Sequence, residues 1–100
     1  MSDFEIAKME KLVGEYNIWE LKKIPYGKFK IKIFVDLNGS YTGFTNLQVV
    51  DETGSYYCAV GHGKTEKEAL DDTIQQFFKK LEVKENWDEQ DFECSDPYDF

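Results

Sequence analysis

The clearest period in the hydrophobic pattern lies along 28–35, where apolar residues alternate with lysines. A spacing of two predicts a β-strand whose faces meet different surroundings. One face carries Phe29, Ile31, Ile33 and Val35, and the other carries Lys28, Lys30 and Lys32. We therefore expect a strand with a buried apolar face and a solvated lysine face.

Two more strands are predicted downstream of this one. They span about 41–50 and 55–60, and turns at 36–39 and 51–54 precede them. The first turn contains an Asn-Gly pair, which readily adopts the positive φ values of a tight hairpin. Because both connections are short, we expect the three strands to pair antiparallel.

An amphipathic helix is predicted after the third strand, beyond a break at 61–64. Thr65 and Glu68 have the spacing of a capping box, which satisfies backbone groups of a first helical turn. Apolar residues then recur on one helical face. They are Leu70, Ile74, Phe77, Phe78 and Leu81. Acidic residues in the first turns and lysines in the last favour the helix dipole.

The N-terminal region predicts a further helix. Ser2 and Glu5 have capping-box spacing, and apolar residues recur at roughly helical spacing as far as Val13. Gly14 is a plausible end of this helix. The stretch 15–24 fits either a strand or a continued helix, and the pattern leaves both open.

The predicted order of elements is therefore αβββα. This is an α+β fold with two helices on one face of a three-stranded antiparallel sheet. We expect a single domain of this kind over 1–81, followed by an acidic, aromatic tail over 82–100.

The junction Gly-His-Gly-Lys-Thr-Glu-Lys-Glu-Ala at 61–69 resembles that of a double-stranded RNA-binding domain, a family with the same αβββα order. Members of the family contact phosphates with basic residues at this junction. Here Glu66 and Leu70 replace two of the family's lysines, and Asp71 and Asp72 follow. The resemblance implies the fold, whereas these acids would repel an RNA backbone.

The stretch 63–70 is also similar to the helix start that follows three strands in HicB-type antitoxins. Those proteins are small and acidic, and they inhibit a toxin that acts on nucleic acid. This resemblance implies an inhibitory, protein-binding role.

The net charge is concentrated in the predicted tail. The formal net charge is −8, and 82–100 holds eight acidic residues and one lysine, so this segment carries most of it. Four aromatic residues lie among the acids. Since aromatic side chains anchor interfaces and carboxylates steer approach, the composition favours binding to a basic partner. A solubilising, disordered end is the alternative.

Several classes of function lack the residues they need. His62 is the only histidine, and no third residue is evident to orient it beside Cys58, so a turn histidine is favoured over catalysis. One histidine and two distant cysteines provide no closed zinc site, and we expect no metal or cofactor. The absence of arginine weighs against phosphate recognition. Without a long apolar run or a signal-peptide pattern, a cytoplasmic location is expected.

These observations predict a non-catalytic acidic protein that inhibits or regulates a basic, nucleic-acid-handling protein. Nucleic-acid mimicry of the phage anti-defence or antitoxin type is one route. The predicted partner-binding residues are Glu66, Glu68, Asp71, Asp72, Glu85, Trp87, Asp88, Glu89, Asp91, Phe92, Glu93, Asp96, Tyr98, Asp99 and Phe100.

Two alternatives concern the lysine face. In the first, the chain is a nucleic-acid-binding module that contacts phosphates through Lys28, Lys30, Lys32 and Lys64. In the second, the acidic tail folds back onto the lysine row as an intramolecular competitor, through ion pairs that are individually weak.

Overall fold

Five strands and one long helix make up the described part of the computed structural model, which covers residues 9–22, 24, 27–51, 53–82, 87 and 89–94. In chain order the elements are β1 (Glu10–Trp19), β2 (Lys28–Asp36), β3 (Tyr41–Val50), β4 (Tyr56–Gly63), α1 (Glu66–Leu81), a 3₁₀ turn (Glu89–Asp91) and β5 (Phe92–Cys94). Strands β1 to β4 form an antiparallel meander, and α1 packs on one face of it. We call this the covered face and the opposite side of the sheet the open face.

The predicted αβββα order is wrong, because the chain begins its described part with a strand and has the order ββββα. The predicted N-terminal helix fails over Glu10–Val13, which starts β1, and the ambiguous stretch continues this strand to Trp19. Residues 3–8 of that helix lie outside the described residues. The physical reason is pairing: β1 pairs with β2 from Glu10↔Asp36 to Trp19↔Lys28. Long-range pairing of this kind overrides a short helical spacing.

The corrected order also removes the basis of both family resemblances. A double-stranded RNA-binding domain requires a helix before its three strands, and here a fourth strand lies next to β2 instead. The junction motif was assigned to a turn, but Gly61 and Gly63 belong to β4. The similarity to HicB-type antitoxins required three strands before the helix, and here four strands precede α1, so that resemblance is wrong as well.

The predictions for β2, β3 and α1 are confirmed, with boundaries within a residue of those expected. Thr65 caps the helix, since its Oγ1 accepts a hydrogen bond from the Glu68 backbone N–H at 3.1 Å. Gly39 has a φ of +82° in the turn between β2 and β3, as the Asn-Gly signal predicted.

Close contact between α1 and the sheet depends on two glycines. A Cβ at Gly43 would lie 2.1 Å from Thr73 Oγ1, and one at Gly61 would lie 2.2 Å from the Thr73 backbone nitrogen. Both distances are far inside van der Waals contact. The glycines therefore let the helix lie directly against β3 and β4.

A bulge in β3 splits its pairing along one edge. Between Phe44 and Gln48 the register with β4 shifts, and Thr45 bridges the gap. Its buried hydroxyl accepts from the Ala59 N–H at 3.0 Å and donates to the Leu47 carbonyl at 2.9 Å. On the opposite edge of β3, the first half of the strand pairs with β2 and the second half pairs with β5.

The core lies between α1 and the covered face. Phe29 and Phe77 are almost completely buried, and their ring centroids are 4.5 Å apart. Ile31 and Ile33 of β2 point the same way and are fully buried. Among the described residues, no helix combines the length and the apolar character needed to cross a membrane.

Candidate functional site

Two aromatic residues of the predicted tail are part of the core. Phe92 is 5% exposed, and the Trp87 ring centroid lies 5.5 Å from its own. Trp87 Nε1 also donates a hydrogen bond to the Leu81 carbonyl at 3.0 Å. These two rings therefore anchor the start of the acidic segment to the end of α1 and to the sheet.

Backbone pairing extends this anchor into β5. Phe92 pairs with Val49, and Glu93 pairs with Gln48. Successive side chains of a strand point to opposite faces, so Phe92 lies on the covered face and Glu93 on the open face. Glu93 is exposed. A further contact comes from Tyr56, whose hydroxyl donates to the Gln90 carbonyl at 2.8 Å.

The remaining predicted residues of the acidic segment fall into two groups. Asp91 is half-buried, and Glu89 belongs to the 3₁₀ turn before β5. The others lie outside the described residues. They are Glu85, Asp88, Asp96, Tyr98, Asp99 and Phe100.

The acids in the first turn of α1 have local structural partners. Glu66 accepts a hydrogen bond from the Tyr16 hydroxyl of β1, and this contact raises the pKa of Tyr16 above its ordinary value. Glu68 is exposed, and its Oε1 accepts from the Lys64 backbone N–H at 3.4 Å. Glu66 thus ties the helix start to the neighbouring strand, while Glu68 completes its cap.

Asp71 has an exposed partner within α1, whereas Asp72 has a partner in the sheet. Asp71 forms an exposed ion pair with Lys67 on the preceding turn, with 2.8 Å between Nζ and Oδ2. Asp72 accepts from the His62 backbone N–H at 2.8 Å and from Gln76, and these hydrogen bonds lower the pKa of its carboxyl. The Asp72 carboxylate therefore links α1 to β4.

Among the described residues, the acids at the start of α1 and the anchored part of the acidic segment lie near opposite ends of the helix. Glu66 contacts β1 at the start of α1, whereas Trp87 contacts Leu81 at its end. Fifteen helical steps separate these positions, or about 22 Å at the usual rise per residue.

The predicted lysine face is only partly solvated. Lys32 is 7% exposed, contrary to the expected solvated side chain, and its strand neighbours are Glu15 of β1 and Phe44 of β3. Lys30 pairs with Glu15, with 3.1 Å between Nζ and Oε1. Lys28 is exposed, and Lys64 is exposed at the far end of β4. The four lysines therefore do not form one continuous basic surface.

Sequence reasoning missed an exposed aromatic residue next to these lysines. Trp19 is 67% exposed, and Lys28 Nζ lies 5.4 Å from its ring centroid, within the range of a cation–π contact. Leu21, in the connection between β1 and β2, is 81% exposed. Strand alternation could have shown Trp19 pointing outward once Ile18 was placed inside.

Cys58 and His62 lie on the open face of β4, four residues apart along the strand. His62 is exposed, and its Nδ1 is 3.4 Å from Thr42 Oγ1. Cys58 is a half-buried free thiol. Within the described ranges, no three histidine, cysteine or acidic side chains gather closely enough to hold a metal ion.

Comparison with known proteins gives no relative: the chain matches no family model, no curated protein and no solved structure.

Proposed function

We propose that this chain is a non-catalytic acidic protein that binds and regulates a basic, nucleic-acid-handling protein in the cytoplasm. The proposal rests on the acidic segment 82–100, which is held to the sheet by the pairing of β5 with β3. Phe92 is buried in the core while Glu93, the next residue, is exposed on the open face. Asp96 and Asp99 follow within six residues.

Anchoring raises affinity because the ordering of mobile groups on binding costs conformational entropy. A segment whose start is already held by β5 loses less conformational freedom than a free tail of the same composition. Its carboxylates attract a basic surface over a distance of about 10 Å at ordinary salt. Tyr98 and Phe100 are the aromatic residues proposed to contact the partner, since Trp87 and Phe92 contribute to this domain's own packing.

The pairing and burial of the lysines favour protein binding over the nucleic-acid-binding alternative. Lys30 is paired with Glu15, and Lys32 is buried. A phosphate-binding surface needs several accessible cations in one place. Lys64 lies beyond the end of β4, remote from Lys28 at the start of β2.

The test neutralises the acids without removing the segment, because deletion of 82–100 would also remove Phe92 from the core. The variant is E93Q/D96N/D99N in the full chain. A matched control, E10Q/E15Q/E20Q, removes the same charge from β1 and the residue after it. Tagged proteins are used for affinity capture from nuclease-treated host lysate at low and high salt, followed by mass spectrometry.

We expect the unmodified chain and the control to retain basic nucleic-acid-binding proteins, and high salt to release them. The E93Q/D96N/D99N variant should lose them. Retention that is independent of salt, or equal for both variants, would contradict the proposal. A gel shift of duplex RNA or DNA by the chain alone, lost in K28Q/K30Q/K64Q, would instead establish the nucleic-acid-binding alternative.

A further inference from the structure

Strand β5 occupies a stretch of the β3 edge that the other described strands leave unpaired. On this edge β2 pairs with β3 only as far as Thr45, and β5 pairs further along, at Leu47, Gln48 and Val49. The sheet order β1-β2-β3-β4 is complete without β5. Loss of the β5 pairing would therefore leave the other described strands connected to one another.

Beside this edge lies a pocket for one aromatic side chain. Phe92 is almost completely buried there, and its ring packs against the ring of Trp87. Trp87 also donates a hydrogen bond to the Leu81 carbonyl at the end of α1. Because this bond does not involve β5, the Trp87 wall of the pocket is held independently of Phe92.

Few contacts hold β5 in its place. It has three residues, against eight to ten in the other described strands. Phe92 is buried, whereas Glu93 is exposed. The hydrogen bond from Tyr56 to the Gln90 carbonyl adds one further contact just before the strand. Segments with few buried contacts open at a lower free energy than the whole domain unfolds.

We propose that this edge of β3 and the pocket beside it form a strand-acceptor site. In the closed molecule β5 occupies the site, and an extended peptide of a partner protein occupies it when β5 leaves. A sheet edge offers main-chain hydrogen bonds to an added strand, and pockets at alternate positions select its side chains. The partner peptide therefore carries an aromatic residue opposite Val49 and a polar residue opposite Gln48, as β5 does with Phe92 and Glu93.

The tethered β5 acts as an internal competitor for this site. With about 1% of molecules open, the apparent dissociation constant of a peptide is about 100-fold larger than for an empty site. Removal of the Phe92 ring should raise the open fraction, because this ring is the buried side chain that holds the strand. Strand exchange does not depend on the acids that attract a basic partner, so it can be tested separately from the proposed function.

The first measurement is hydrogen exchange of the unmodified full chain across a urea series below the unfolding transition. We expect the protected amides of β5 to exchange through a local opening, while the amides of β2 in the core exchange only through global unfolding. Exchange of both strands solely through global unfolding would overturn the proposal. This measurement needs no variant, so it remains decisive when a substitution prevents folding.

The second measurement adds a peptide to ¹⁵N-labelled full chains and follows the amide signals of 47–49 by NMR. The acetylated peptide has the sequence of 89–94, Glu-Gln-Asp-Phe-Glu-Cys, with its cysteine replaced by serine. A second peptide has alanine in place of the phenylalanine. The chains are the unmodified protein, Phe92→Ala and the matched control Phe44→Ala, which removes a ring from the open face.

We expect the phenylalanine peptide to bind Phe92→Ala about tenfold or more tightly than the other two chains, because the site is then mostly empty. The alanine peptide should not bind. Equal affinity for all three chains, equal binding of the two peptides, or no binding to a folded Phe92→Ala chain would each contradict the strand-acceptor site.

Discussion

The two faces of the sheet differ in how deeply their side chains are buried. On the covered face, Phe29, Ile31 and Phe77 have almost no exposed surface, and the helix backbone comes into direct contact with Gly61. On the open face the side chains described are mostly half-buried or exposed, and the Phe34 and Phe44 rings lie 5.9 Å apart. The covered face therefore determines the fold, while the open face leaves side chains accessible.

The difference arises from what lies on each side. A second layer on the covered face excludes water, so that a change of one methyl group affects packing. On the open face a substituted side chain can move into water at little cost. Glu93, Trp19 and Lys28 all lie on the open face, where their side chains are exposed.

The largest effect is expected at the closest contact of the covered face. In Gly61→Ala, the new Cβ would meet the Thr73 backbone, which cannot move without shifting α1. We predict a loss of more than about 3 kcal/mol in the free energy of unfolding, measured with urea. Gly39→Ala is the control. It has open space but a φ of +82°, and should lose about 1 to 2 kcal/mol. Equal losses would show that close contact at Gly61 is unimportant.

The two faces of β5 provide the next comparison. Phe92→Ala should lower the free energy of unfolding by about 3 kcal/mol, because it removes a buried ring from the core. Glu93→Gln, one residue away on the open face, should change it by less than about 0.5 kcal/mol. Urea unfolding followed by tryptophan fluorescence measures both. A small effect of Phe92→Ala would mean that β5 is dispensable for stability.

Two threonines of β3 test the cost of a missing hydroxyl on each face. Thr45→Val leaves the buried Ala59 N–H without its acceptor and should cost about 2 kcal/mol. Thr42→Val, on the open face, removes only a 3.4 Å contact with His62 and should be nearly neutral. Hydrogen exchange of the Ala59 amide should accelerate in the first variant and not in the second. Unchanged exchange in Thr45→Val would exclude the bridging role of this hydroxyl.

The smallest effect concerns the carboxylates of α1 and depends on pH. The His62 N–H lowers the pKa of Asp72 below its ordinary 3.8, so the ionised form stabilises the folded state. Asp72→Ala should cost about 1 kcal/mol at neutral pH. This difference is present above pH 3.8 and disappears as the pH falls through the folded pKa.

Asp71→Ala is the matched control for this change, since its ion pair with Lys67 is exposed. Thermal unfolding between pH 2.5 and 7 compares the two variants with the unmodified chain. A difference at Asp72 that stays constant across this range would contradict the assignment to its carboxylate.

Local signals predicted most of the elements that follow β1. Alternation located β2, the Asn-Gly turn located the hairpin to β3, and a capping box located the start of α1 at Thr65. Each of these signals depends on residues close in sequence, so the predicted element does not depend on which distant segment packs against it. The N-terminal helix was wrong because its apolar spacing also fits a strand, and pairing with β2 decides between the two.

The candidate site was less predictable for the same reason. The acids of 82–100 were evident from composition, but the burial of Phe92 depends on an edge of β3 that β2 leaves unpaired. The motif around Gly61 predicted a break after the third strand, and it did not indicate that this glycine lies in β4 against α1. Lys32 was expected in solvent, and its burial reflects neighbours from β1 and β3 that are distant in sequence.

The amino-acid sequence by itself determined the charge distribution, the period of β2 and β3, and the limits of α1, because these depend on composition and on neighbours within a few residues. Tertiary structure alone decided that the chain starts its described part as a strand, that two glycines admit the helix, and that Phe92 and Glu93 point to opposite faces of the sheet. Those outcomes depend on contacts between segments far apart in sequence. A one-dimensional period does not specify which edge or face such a segment will meet.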